Sequence, residues 1–263
     1  MSMAISSAYH IVIPARFASE RLPGKVLLDL AGQSLLQHVW QRACESSAES
    51  VIIATDDERV LRAGEAFGAK VVLTGTDHQS GSDRIAECAE KLAWPDEYLV
   101  VNLQGDEPLM PPACLDQVAA LLDQRQDCEV ASLYWPMTGA DEVQNPNAVK
   151  VVTDSQDRAL YFSRAPIPYA RSFTSIAAAM TAGVEWKRHL GLYAYRLSAL
   201  RRYTAFAPTP LETSERLEQL RILEKGGRIA MAAACEFIPA GIDTPEDLKR
   251  VHELIINYDI NKP

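Results

Sequence analysis

The sequence predicts an α/β fold in which a mostly parallel sheet carries a smaller antiparallel β part. In the first half of the chain, short runs rich in Val and Ile alternate with amphipathic stretches at helical spacing. Such alternation is typical of a parallel sheet covered on both faces. The second half breaks the alternation with consecutive strand-like runs, until Thr244 and Pro245 mark a last helix as its N-cap and first residue. We expect one domain over residues 1–263, with an insertion at roughly 145–210.

Each predicted strand of the first half is a short apolar run that ends in polar or turn-forming residues. These strands cover residues 9–13, 50–54, 70–73, 97–103 and 129–134. The stretches between them carry apolar residues at helical spacing, which predicts helices. These helices cover residues 35–46, 57–67, 82–92 and 111–125, with Ser82 as the N-cap of the third.

The predicted antiparallel part begins with a hairpin over residues 149–153 and 159–162. Pro166 and Pro168 then introduce an irregular loop, which we extend over residues 172–181. The remaining predicted elements are a strand at 190–196, one helix at 211–225 and a strand at 228–237.

The charge balance limits the classes of partner. The 263-residue chain has 26 Lys and Arg against 35 Asp and Glu, which gives a net charge of −9. This charge argues against nonspecific binding to nucleic acid or to anionic membranes, so an anionic substrate requires a local positive site. The first residues have neither the basic region nor the long apolar run of a signal peptide, and no apolar run reaches the length of a membrane span. We expect a cytoplasmic protein.

The cysteines argue against thiol or zinc chemistry. They are odd in number, widely spaced and without a C-x-x-C pair, which indicates reduced and mostly structural thiols. The five are Cys44, Cys88, Cys114, Cys128 and Cys235.

A dense cationic loop follows the first predicted strand. Arg16, Arg21 and Lys25 fall within ten residues, and Pro23 and Gly24 shape the turn. On an acidic chain, this pattern indicates a phosphate site at the carboxyl edge of the sheet, although a solvated basic turn would also explain the charges. The loop is not a Walker loop, and no G-x-G-x-x-G occurs in the chain.

Two carboxylates follow other predicted strands. Asp106 lies in the turn at 104–108, at the sheet edge that should also carry the cationic loop. Asp243 lies just before the last helix. Carboxylate oxygens suit Mg²⁺, which commonly bridges a protein and substrate phosphates. The alternatives are an ordinary polar turn at Asp106 and a helix cap at Asp243.

Other polar residues are ambiguous from the sequence alone. His189 begins a strand that contains aromatic residues, and most such histidines pack or face solvent. Glu218 and Gln219 lie on a predicted amphipathic helix, where charged residues are usually solvated. Neither a Ser/His/Asp order nor a metal-spaced His pair is evident.

Taken together, these segments resemble the 3-deoxy-manno-octulosonate (Kdo) cytidylyltransferase family, also called CMP-Kdo synthetases, over nearly the full length. Nine blocks match in the family's order. They are Pro14-Ala-Arg-Phe-Ala-Ser-Glu-Arg-Leu-Pro-Gly-Lys25, Ala54-Thr-Asp56, 77–84, Asn102-Leu-Gln-Gly-Asp-Glu-Pro108, 145–152, 159–164, Arg188-His-Leu-Gly191, 217–221 and 241–248.

The resemblance implies a glycosyltransferase-A-like α/β fold, a homodimer and dependence on Mg²⁺. It implies the reaction CTP + Kdo → CMP-Kdo + pyrophosphate, which serves lipopolysaccharide biosynthesis. The implied partners are therefore CTP and a 2-keto-3-deoxy sugar acid.

The resemblance also assigns roles to residues. For the triphosphate it implies Arg16, Arg21 and Lys25. For the cytidine side it implies His78, Ser80, Gly81, Arg84 and Gln104. For the metal it implies Asp106 and Asp243, and Lys25, Arg16 and Asp106 are the expected catalytic set. For the sugar acid it implies Arg164, His189, Tyr193, Glu218 and Gln219.

Departures from the family pattern fall mostly on the sugar side. They are Val26, Pro166, residues 169–172, Thr213-Ser214 and Arg216. Alternative substrates are therefore 8-amino-Kdo or another 2-keto sugar acid, such as a nonulosonate. A non-catalytic nucleotide sensor is the alternative of another class, and the presence of Lys25, Asp106 and Asp243 together argues against it.

Overall fold

The computed structural model describes residues 7–18, 22–78 and 80–260, without the side chains of 257–260. Within these residues, nine strands form one sheet and two form a small hairpin, β2–β3. The strands are β1 Tyr9–Ala15, β2 Asp29–Leu30, β3 Gln33–Ser34, β4 Ser50–Thr55, β5 Lys70–Leu73, β6 Leu99–Asn102, β7 Val130–Pro136, β8 Lys150–Thr153, β9 Ala159–Ser163, β10 Lys187–Arg196 and β11 Ile229–Ala233. The α-helices are α1 Leu35–Cys44, α2 Glu58–Ala66, α3 Gly81–Lys91, α4 Pro112–Gln124, α5 Ala140–Gln144, α6 Ile176–Thr181, α7 Leu197–Thr204, α8 Pro210–Glu215, α9 Gln219–Glu224 and α10 Pro245–Ile260.

The strand order places a topological switch point at the centre of the sheet. The order is β11-β7-β10-β6-β1-β4-β5, and β10 alone runs antiparallel to its neighbours in this row. From β1 the chain moves to β4 and β5 on one side and then returns to β6 on the other side. Ligands of open α/β sheets bind at such a switch point, outside the carboxyl ends of the strands. Here these ends belong to β1 and β6.

The alternation of side chains along β1 builds two apolar layers. Ile11 and Ile13 point to the face covered by α1, α2 and α4, whereas Val12 points to the face covered by α3, α7 and α9. All seven residues of β1 are buried, as expected for a parallel strand covered on both faces. We refer below to the two sides of the sheet as the α4 face and the α3 face.

The predicted fold class is confirmed, as is the hairpin, because β8 and β9 pair antiparallel and β8 joins the first part of β10. The start of the last helix is also confirmed, since the Thr244 hydroxyl accepts a hydrogen bond from the Asp247 backbone N–H at 3.2 Å. None of the helices in the described part of the chain is long and apolar enough to cross a membrane. The single-domain organisation with an insertion at 145–210 stays a prediction.

Several predicted elements were wrong in detail. Ser80, and not Ser82, caps α3, in a reciprocal pair of hydrogen bonds with Asp83. The predicted loop at 172–181 contains α6. The predicted helix at 211–225 is two helices, because Arg216 adopts a left-handed conformation with φ 52°. Helices α5 and α7 and the β2–β3 hairpin were not predicted.

A buried ion pair joins α3 to the end of β4. The Arg84 guanidinium is fully buried and donates to Asp56 at 2.7 Å and to the Thr74 hydroxyl at 2.5 Å. Removing one partner of a buried pair leaves an uncompensated charge and costs about 3–5 kcal/mol.

We expect Asp56→Asn to lower the free energy of unfolding by an amount near that range, measured by urea denaturation. The control is Asp127→Asn, which breaks a more exposed pair with Arg125 and should leave the free energy of unfolding nearly unchanged. Equal losses in both variants would contradict this role of Arg84.

Candidate active site

One ammonium group joins three segments at the carboxyl edge of the sheet. The Lys25 Nζ donates to Asp106 Oδ2 at 2.6 Å, to Asp243 Oδ1 at 3.1 Å and to the Ile242 carbonyl at 2.9 Å. Lys25 begins a short 3₁₀ turn after β1, Asp106 lies in the turn after β6, and Asp243 precedes α10. The structure therefore brings the cationic loop to Asp106, as the strand pattern predicts, and adds Asp243 to the same cluster.

Two glycines let these segments approach each other. A Cβ on Gly105 would lie 3.1 Å from the Pro14 carbonyl oxygen, and a Cβ on Gly241 would lie 3.0 Å from the Asp106 carbonyl oxygen. That same Asp106 oxygen accepts a hydrogen bond from the Ile242 N–H at 2.9 Å. The three segments thus pack backbone to backbone, which fixes the spacing of the two carboxylates around Lys25.

The electrostatics of this cluster favour a cation between the carboxylates. Burial disfavours the charge on Lys25, but Asp106 and Asp243 outweigh it and raise the pKa of the ammonium. The Lys25 side chain is 12% exposed, whereas those of Asp106 and Asp243 are 28% and 45% exposed. The carboxylates therefore border solvent, with the lysine beneath them.

The donor set fits Mg²⁺. The two carboxylates that bind the Lys25 ammonium can bind Mg²⁺ in its place. Mg²⁺ usually takes one or two carboxylates together with water and phosphate oxygens. Among the described residues there is no group of three or more His, Cys, Asp or Glu side chains that could hold a metal alone. Asp243 is not the helix cap, because Thr244 and Asp247 cap α10.

Glu107 is a buried carboxyl that the sequence analysis gave no role. Burial, followed by the charge of Asp106, raises the pKa of Glu107 to about 8, and Arg188 acts in the opposite direction. The Glu107 Oε2 is buried without a hydrogen-bond partner in the structure. It lines a cavity of about 470 Å³ on the α4 face, together with Arg188 and Met110. Only its position beside Asp106 could have singled it out from the sequence.

A second cavity, of about 120 Å³, gathers four of the predicted ligand-binding residues on the α3 face. These four are Gln104, Tyr193, Glu218 and Gln219. Burial raises the pKa of Glu218, although hydrogen bonds from Ser82 and Ser80 oppose the shift. The Gln219 Nε2 is buried without a partner in the structure. Because unsatisfied buried polar groups are costly, this cavity suits a ligand that carries hydrogen-bonding groups.

His189 and Arg164 do not line this cavity, and His189 instead lines the larger cavity on the α4 face. The His189 ring packs 5.4 Å from the Tyr193 ring, between centroids, and its Nε2 lies 3.1 Å from the Ser132 hydroxyl. Burial lowers the pKa of His189 to about 3, so at neutral pH it is a hydrogen-bonding group and not a cation. Arg164 follows β9, and its guanidinium donates to the Glu215 and Pro146 carbonyls.

The residues predicted for the cytidine side divide into two groups. Arg84 is fully buried and His78 pairs with Glu87, so we expect both to shape the loop before α3 rather than to contact a nucleotide. Ser80 caps α3, and the backbone at Gly81 lies against Pro14 and near the Gln104 amide. These contacts place the start of α3 beside the ends of β1 and β6.

The other two residues predicted for the triphosphate are Arg16 and Arg21. Arg16 directly follows β1 at the same edge as Lys25 and is partly buried. Arg21 lies outside the described residues.

Comparison with known proteins agrees with this geometry. The family model described as Cytidylyltransferase matches residues 10–229. The chain is 49% identical over 254 residues to the 3-deoxy-manno-octulosonate cytidylyltransferase of Pseudomonas syringae pv. syringae (strain B728a), covering 95% of this chain and 99% of that protein. It is 52% identical over 245 residues to the enzyme of the same name from Halorhodospira halophila (strain DSM 244 / SL1), covering 93% and 95%.

Solved structures give the same result. A CMP:2-keto-3-deoxy-manno-octonic acid synthetase complexed with CTP superposes with a TM-score of 0.85 at 39% identity, covering 96% of this chain and 100% of that one. A 4-diphosphocytidyl-2C-methyl-D-erythritol synthase, at 14% identity and a TM-score of 0.61, shares the fold. On this sequence and structural similarity, the chain belongs to the 3-deoxy-manno-octulosonate cytidylyltransferase family.

Proposed function

We propose that this protein transfers the cytidylyl group of CTP to Kdo, releasing pyrophosphate and forming the CMP-Kdo used in lipopolysaccharide biosynthesis. The observation that carries the proposal is the Lys25 cluster at the switch point of the sheet, on a chain closely similar to named Kdo cytidylyltransferases. The cavity on the α3 face, beside the Gln104 turn, supplies buried polar groups for the base and the sugar acid.

The residues present fit an in-line displacement. The anomeric oxygen of the sugar acid forms a bond to the α-phosphorus and loses its proton to solvent, while the bond between the α-phosphorus and the bridging oxygen breaks and pyrophosphate leaves. Such transfers need positioning and charge neutralisation more than covalent help from the protein. Both substrates are anions, so Lys25 and Arg16 would offset their repulsion.

We propose Asp106 and Asp243 as the residues that hold Mg²⁺. When bound, the metal would neutralise phosphate charge and polarise the α-phosphate. Lys25 contacts both carboxylates in the structure, so the Lys25 ammonium would have to release them and turn to the triphosphate. We further propose a cytoplasmic homodimer, with residues 145–210 on the sugar side and at the subunit contact.

The substrates can be tested directly. Pyrophosphate release should require CTP together with Kdo, and UTP, ATP and GTP should be much poorer, because a site built from buried hydrogen-bonding groups rejects partners that leave them unpaired. Values of kcat/KM for Kdo and 8-amino-Kdo, measured side by side, define the sugar. A large advantage for 8-amino-Kdo would overturn the Kdo assignment. Inactivity with both sugars would redirect the search to nonulosonic acids.

Substitutions at two neighbouring carboxylates, Asp243 and Asp247, distinguish a metal ligand from a helix cap. Asp243→Asn should lower turnover strongly and raise the Mg²⁺ concentration needed for half-maximal rate, because it removes a charged ligand. Asp247→Ala should leave the Mg²⁺ dependence unchanged and lower the free energy of unfolding by about 1 kcal/mol, the typical loss of a cap. A normal Mg²⁺ titration for Asp243→Asn would refute the ligand role.

Removal of Lys25 should have opposite effects on metal binding and on turnover. In the free protein the Lys25 ammonium occupies the space between the two carboxylates. Lys25→Met should therefore bind Mn²⁺ more tightly than the unchanged protein in the absence of nucleotide, measured by electron paramagnetic resonance. The same variant should lose turnover by roughly 10²–10³-fold, by analogy with a lost transition-state donor.

The control for this experiment is Lys70→Met, which removes the same charge at the start of β5. The start of this parallel strand lies at the amino edge of the sheet, opposite the carboxyl edge that carries the Lys25 cluster. Lys70→Met should change neither the affinity for Mn²⁺ nor the turnover. Mn²⁺ binding that is equal or weaker in Lys25→Met would contradict the competition between lysine and metal.

A further inference from the structure

Charged side chains hold both backbone groups of Arg164. The Arg164 N–H donates to Glu215 Oε2 at 2.9 Å, and the Arg164 carbonyl accepts from Lys150 Nζ at 2.6 Å. The guanidinium is held by three carbonyls: Nε donates to that of Glu215 at 2.8 Å, Nη1 to that of Pro146 at 2.9 Å and Nη2 to that of Arg216 at 3.4 Å. Arg164 is thus fixed between the turn before β8 and the end of α8.

Lys150 occupies an unusual position for a lysine. It lies in β8 with no exposed surface, and its described hydrogen-bond partners are two backbone carbonyls, those of Asn145 at 3.0 Å and of Arg164. Burial, followed by the charge of Arg164, lowers the pKa of this ammonium. A buried charge is expensive unless it is well compensated, and an apolar residue in a buried strand position would avoid that cost. The placement therefore suggests a requirement beyond strand stability.

Glu215 complements Lys150 from the other side. Its second oxygen, Oε1, accepts from the Ser163 hydroxyl at 2.6 Å, so one carboxylate holds the last residue of β9 and the residue after it. Glu215 ends α8, and Arg216 then turns the chain in a left-handed conformation toward Glu218. The contact therefore ties Arg164 to the segment that lines the cavity on the α3 face.

We propose that Lys150 and Glu215 are positioning residues that aim the Arg164 guanidinium at the carboxylate of the sugar acid. The inference rests on the proposed function for the role of Arg164. Recognition of a carboxylate by arginine depends on the planar fork being presented edge-on. With Nε, one Nη1 hydrogen and one Nη2 hydrogen donated to carbonyls, the remaining Nη1 and Nη2 hydrogens are oriented before substrate arrives. Lys150 and Glu215 fix the backbone from which that fork extends.

The proposal predicts a selective kinetic effect. Lys150→Met and Glu215→Gln should each raise the KM for the sugar acid roughly tenfold or more, the effect of losing a hydrogen bond to a charged group. The KM for CTP should stay within about twofold, because the Lys25 cluster is not touched. The matched control is Lys187→Met, which removes a lysine from β10, where it pairs with β8 and donates to the Thr153 hydroxyl. It should leave both constants unchanged.

A second measurement follows the Arg164 side chain directly and does not depend on enzyme activity. The ¹⁵N–¹H signal of the Arg164 Nε group, assigned by its absence in Arg164→Lys, should exchange slowly with solvent in the unchanged protein. In Lys150→Met and Glu215→Gln it should exchange faster. If Lys150→Met does not fold, Glu215→Gln alone decides.

Unchanged exchange in both variants, or equal increases of both KM values, would overturn the positioning role. If the unchanged protein showed no turnover with any sugar acid, the proposed function would fail. The exchange measurement would still decide whether Lys150 and Glu215 orient Arg164.

Discussion

The contact of the Lys25 ammonium with Asp106 and Asp243 is the interaction on which the organisation of the site depends. It joins three segments that are far apart in the chain but meet where β1 and β6 end. Two neighbouring carboxylates stay ionised together only when a cation offsets their repulsion. The geometry of the sheet edge is therefore tied to charge, and the backbone contacts at Gly105 and Gly241 keep that geometry fixed.

The two faces of the sheet carry different kinds of buried polar group. On the α3 face, Glu218 and Gln219 line a small cavity, and the Gln219 amide lacks a partner within the structure. On the α4 face, Glu107 is buried beside Asp106. A ligand that hydrogen-bonds to these groups would offset the cost of burying them. Both faces therefore present polar groups to a cavity: Glu218 and Gln219 on the α3 face, and Glu107, Arg188 and His189 on the α4 face.

The part of the site that could be predicted from the sequence is the part determined locally. Strand runs, turn residues and the rule that parallel strands end at one edge were enough to bring Lys25 and Asp106 together. The left-handed residue at Arg216 and the burial of Arg84 depend on packing against distant segments, so periodicity could not give them. The sugar-side assignments came from resemblance alone, and the resemblance could not show that His189 is neutral.

The position of Lys25 also constrains how the site can work. One ammonium has three N–H groups, and all three are used by Asp106, Asp243 and the Ile242 carbonyl. Lys25 therefore cannot bind a phosphate oxygen without giving up at least one of these partners. The two carboxylates would then repel each other unless another cation replaced the lysine. Phosphate binding by Lys25 and cation binding by the two carboxylates would therefore be coupled, because each would make the other more favourable. A nucleotide that brought its own divalent ion would meet both requirements at once.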